Sequence, residues 1–93
     1  MVTVIAKIEL SLSGVNSLKE KRRILKSLIA GLQNKFNISI AEVDDNDIHR
    51  KAVIGTAIVS NKSSFGNQVI AKVIDEIRKR PDIVLIDYIT EEY

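Results

Sequence analysis

Residues 17–36 read SLKEKRRILKSLIAGLQNKF, and this stretch organises the chain. Leu18, Leu25, Leu28, Ile29, Leu32 and Phe36 recur at intervals that place them on one side of a helix, at 100° per residue. Ser17 stands where an N-cap belongs, and Glu20 follows at the third helical position, the spacing of a capping box. Lys19, Arg22, Arg23 and Lys26 fall on a different arc, turned away from the apolar stripe. Lys21 is the odd residue. Its angular position lies inside the stripe, between Leu28 and Leu32. It is expected either to snorkel past the end of the core or to point towards a strand end and hold an anion.

Before this helix, Val2 to Leu12 alternates with period two. Val4, Ala6, Ile8 and Leu10 share one face, and Thr3, Ile5, Lys7 and Glu9 share the other. That is a strand with one buried face. Ser13 to Asn16 supplies the turn between them. After the helix, which ends within residues 34–37, Ile38 to Val43 reads as a second strand. Asp44 to Asp47 opens a loop, closed by a hairpin turn across Asp45 to Arg50. Ala52 to Ser60 is a third strand, apolar on both faces, whose Gly55 and Ala57 suit a close approach by a helix. A second helix is expected over Ser64 to Arg80, capped by Ser63 or Ser64 and stopped by Pro81. Its buried stripe is Val69, Ile70, Val73, Ile74 and Ile77. Ile83 to Ile89 is the fourth strand, with Thr90 to Tyr93 its frayed or extended end.

The order β-α-β-β-α-β predicts an α+β, ferredoxin-like fold: a four-stranded antiparallel sheet in the order 4-1-3-2, with two helices on one face. No linker, repeat or low-complexity segment interrupts residues 1–93, so a single domain is expected. The second face of the sheet has no helix to cover it. Its mixed apolar character raises the expectation of a homodimer or another protein partner.

Composition narrows the classes of chemistry. The 93 residues contain no cysteine, which excludes disulfides, thiolate metal clusters and cysteine nucleophiles. No apolar run reaches the length of a membrane span, and MVTVIAKIEL reads as a strand rather than a signal peptide; a soluble, cytoplasmic protein is expected. The net charge is only +2, but its distribution is uneven. Ser17 to Lys35 holds six basic residues and one acidic, a local sum of +5. Glu42, Asp44, Asp45 and Asp47 form an acidic segment. Such asymmetry steers charged partners.

The basic arc is the leading candidate site. Lys19, Arg22, Arg23 and Lys26 are suited to nucleic-acid phosphates, arginine as a rigid fork and lysine as a mobile point charge. The same arc also reads as a solvated or protein-binding helix face. Aromatic residues for base stacking are scarce: Phe36, Phe65, Tyr88 and Tyr93, none on the first or third strand. A standard RNA recognition motif is therefore not expected, while recognition of structured RNA by shape and charge stays open. Asp44-Asp45-Asn46-Asp47 with His49 superficially resembles a metal site, but it lacks calcium-loop spacing, and an acidic turn kept wet explains it equally well. His49 has no nucleophile or oxyanion hole in evident company. Gly14 and Gly55 are isolated and form no phosphate loop. The expectation is a non-enzymatic protein with no cofactor, no metal and no small-molecule substrate.

Several stretches carry a resemblance across almost the whole chain. Ser17-Leu18-Lys19-Glu20-Lys21-Arg22-Arg23, the Ser39 to Val43 segment with Ala41-Glu42-Val43, and Val59-Ser60-Asn61 together resemble the bacterial DUF503, or YlxP-like, family. The first of these motifs is the specific one. The chain departs from the family pattern at Ile48-His49, where an aromatic often follows the acidic residues. The resemblance implies a ferredoxin-like fold. It also implies gene neighbours concerned with translation initiation and ribosome maturation, and hence an RNA- or ribosome-related role.

Overall fold

The computed structural model describes residues 1–93. Its elements are β1 (Val2–Ser11), α1 (Leu18–Lys35), β2 (Ser39–Asp44), β3 (Lys51–Ser60), α2 (Ser63–Arg78) and β4 (Val84–Glu92). The sheet is antiparallel throughout, in the order β2-β3-β1-β4, the α+β arrangement that the hydrophobic periods predict.

The alternation of β1 decides which face the helices cover. Val4, Ala6, Ile8 and Leu10 are almost wholly buried. Their neighbours on β3 in register are Ile58, Thr56, Ile54 and Ala52, buried on the same side. Leu25, Leu28 and Leu32 of α1, with Ile70, Val73, Ile74 and Ile77 of α2, close the core from above. The helices run antiparallel. Lys35, at the end of α1, pairs with Glu76 of α2 at 2.8 Å, while Arg80, just past α2, reaches back to Ser27 in the middle of α1.

Several local expectations are corrected. Gly55 does not accommodate a helix. It lies on the helix-free face beside Lys7, and a Cβ there would stand 2.9 Å from Val43 Cγ1. The close helix–strand approach is made by Gly66 instead, where a Cβ would stand 2.5 Å from Val4 Cγ2. The N-cap of α2 is Lys62, with no side-chain cap bond, rather than Ser63 or Ser64. Ser60 shapes this entry: its hydroxyl accepts from the Lys62 N–H and donates to the Lys62 carbonyl. Val69 is half-buried rather than in the core. Of the two alternatives for Thr90 to Tyr93, the extended one holds: residues 90–92 continue β4, and Tyr93 exchanges two 2.8 Å backbone hydrogen bonds with Thr3.

Candidate functional site

The start of α1 is tightly specified. Ser17 Oγ accepts from the Glu20 N–H at 3.1 Å. Glu20 Oε2 accepts from the Asn16 N–H at 3.2 Å, so the capping box reaches one residue further back than usual. The Asn16 and Glu20 N–H groups are thereby engaged at the helix start.

Of the two alternatives for Lys21, the structure excludes snorkelling to water and has the side chain point to the end of β2, where the anion it meets is the Glu42 carboxylate. The side chain is fully buried, and Nζ donates to the carbonyls of Asp45 at 2.7 Å and Ile48 at 2.6 Å. Glu42 Oε2 lies 2.8 Å away. That oxygen is itself buried and takes no hydrogen bond, so the attraction is ionic. Arg50 adds a second tie, donating to the Val15 carbonyl at 3.1 Å and to Asn16 Oδ1 at 3.4 Å. The β2–β3 loop is thus pinned to α1 and to the turn before it. Asp45, in that loop, has a φ of 58°, the left-handed conformation that aspartate tolerates in turns.

With Lys21 turned inward, its neighbours face out. Lys19, Arg22, Arg23 and Lys26 are all exposed. Together with Ser17 and Glu20 they line one open depression of about 570 Å³ with no hydrophobic wall. None of the four basic groups enters an ion pair or a side-chain hydrogen bond. Arg22 and Lys26 also form the ridge to a second groove, which Leu25, Ile29, Ala30, Gln33 and Glu42 line beside the β2 edge. From Lys19 to Lys26 the patch runs about 10 Å along the helix axis.

Sequence reasoning missed one neighbour of this patch. Arg78, Lys79 and Arg80 read as residues complementing the helix dipole. The antiparallel packing of the helices brings Arg80 onto α1, where Nη2 donates to Ser27 Oγ at 3.3 Å. Ser27 lies one turn beyond Arg23, so basic surface continues from α1 across to the end of α2. Arg80 also pairs with Asp82 at 3.5 Å. The signal was available in the split β-α-β topology, which sets the two helices side by side.

In the acidic loop Asp44 Oδ1 accepts from the Asp45 N–H at 2.8 Å, and the Asp45 and Ile48 carbonyls receive Lys21. No group of three or more His, Cys, Asp or Glu side chains is placed to hold a metal ion. No helix is long and apolar enough to cross a membrane.

Comparison with known proteins bears out the family resemblance. Over 78 residues the chain is 35% identical to Uncharacterized protein YlxP of Bacillus subtilis (strain 168), a match covering 84% of this chain and 85% of that one. The model of DUF503, a family of proteins of unknown function, matches residues 3–90. The chain belongs to the DUF503 family.

Proposed function

We propose that this protein is a small, non-enzymatic binding protein that grips the phosphates of structured RNA, ribosomal RNA included, through the outer face of α1. The observation that carries the reading is the state of Lys19, Arg22, Arg23 and Lys26. Four cations share one open surface, and none is neutralised by a carboxylate of the protein. Phosphate contacts from such groups release counterions and give affinity without sequence preference. No aromatic side chain lines the depression, so stacking on unpaired bases has no platform there, and the match is to a helical backbone recognised by shape.

The test is recovery of RNA with the tagged protein from native lysate at low and high salt, with and without nuclease. The expected result is salt-sensitive recovery of RNA or ribosomal particles, lost in the Arg22→Glu/Arg23→Glu variant while its circular dichroism is unchanged. Equal recovery by the double variant contradicts the assignment.

A further inference from the structure

The helix-free face of the sheet carries charges of both signs at adjacent positions of its central strand. On β1, Lys7 and Glu9 both point to this face and are exposed. Neither forms an ion pair. In register, Lys7 sits between Gly55 and Ile89, while Glu9 sits between Val53 and Asp87. Glu9 and Asp87 are therefore two carboxylates directly opposite each other on neighbouring strands, a destabilising pair unless a cation joins them; Lys7 lines a depression with both. Around them the face exposes Val43, Val59 and Ile89, by 53%, 67% and 55%, with Lys51 and Glu91 towards its ends.

We propose that a second copy of this chain covers this face, sheet upon sheet, about a two-fold axis that crosses the strands between Lys7 and Glu9. That operation sets Lys7 of each protomer over the partner's Glu9 and beside the partner's Asp87, so each carboxylate pair gains a cation from the other copy. A two-fold contact of this kind needs a self-complementary surface, and adjacent opposite charges on the central strand β1 provide one. The two sheets then stack as an aligned sandwich. Four strands about 4.8 Å apart, of six to ten residues at about 3.3 Å, project roughly 550 Å². Side-chain relief brings the accessible area towards the roughly 800 Å² per partner of a stable complex. Stacking by this face leaves both α1 helices on the outside, so the dimer stands independently of the RNA reading.

The test is sedimentation equilibrium of the full chain from about 1 to 100 μM, the range in which a micromolar dimer dissociates. Wild type is expected to sediment as a dimer at the upper end. Lys7→Glu and Glu9→Lys are each expected to weaken self-association about tenfold or more. Both positions are exposed, and circular dichroism checks that each variant is folded. Mixed in equal amounts, the two variants are expected to recover association, because each Glu at position 7 then meets a Lys at position 9. A wild-type monomer throughout, or a dimer indifferent to both substitutions, or a mixture that stays monomeric, overturns the proposal.

Discussion

Lys21 Nζ and Glu42 Oε2 meet at 2.8 Å beneath α1, and this pair fixes how the first helix sits on the sheet. Two carbonyls of the β2–β3 loop complete the coordination of the ammonium. Removing the lysine leaves both carbonyls and a partly buried carboxylate without a partner. Breaking a buried pair from one side costs about 3–5 kcal/mol; Glu42 is 18% exposed, and water reaching it reduces that. Lys21→Met is therefore expected to destabilise the fold by about 2–4 kcal/mol, measured by urea unfolding. A loss of less than about 0.5 kcal/mol, the scale of an ordinary surface substitution, contradicts the role assigned to Lys21.

Two glycines in the helices respond to alanine in opposite directions. Gly31 sits on the exposed side of α1 with open space around its Cα, so Gly31→Ala is expected to stabilise by about 0.8–1 kcal/mol through helix propensity alone. Gly66 is buried against Val4, and its alanine methyl meets Cγ2 at 2.5 Å. Overpacking costs about 1–3 kcal/mol, which outweighs the propensity gain. Gly66→Ala is expected to lower the melting temperature, and Val4→Ala in the same chain to recover part of that loss. Strictly additive effects would show that the contact is not the cause.

Glu76 links the helices electrostatically. Hydrogen bonds from Lys35 and then Lys79 hold its carboxyl below the ordinary 4.5. Because the folded-state value is depressed, the stabilising contribution is present above the ordinary carboxylate range and is lost as pH falls through the folded value. Lys35→Gln is expected to raise the Glu76 value towards 4.5, read by NMR titration of the side-chain carboxyl carbon. No movement on Lys35→Gln would show that the 2.8 Å pair does not persist in solution.

The fold was legible in the sequence because period two in β1 and period 3.6 in α1 each point to one buried face. What escaped were contacts between segments distant in the chain. Lys21 stood out by its angular position, yet its partners lie 24 and 27 residues away in a loop, and periodicity carries no information about them. Gly55 was read as the site of a helix approach that Gly66 makes instead, for the same reason: a glycine announces a close approach, and only the packed fold says by what. The basic arc was read from residue spacing alone, and the geometry collects its four members on one surface. Arg80 joins them only once the helices are packed.

The salt dependence of binding tests the central claim most directly. Fluorescence anisotropy of a labelled RNA hairpin, titrated with protein from about 50 to 200 mM salt, measures how many phosphates are neutralised. Wild type is expected to lose affinity steeply with salt, with a log–log slope of magnitude about 3–4 for the four cations of α1. Arg22→Glu/Arg23→Glu is expected to bind at least about tenfold more weakly at the lowest salt, with a slope reduced by about two. Wild-type binding that is absent, or equal affinity and slope in the double variant, contradicts the account of α1 as a phosphate-gripping surface.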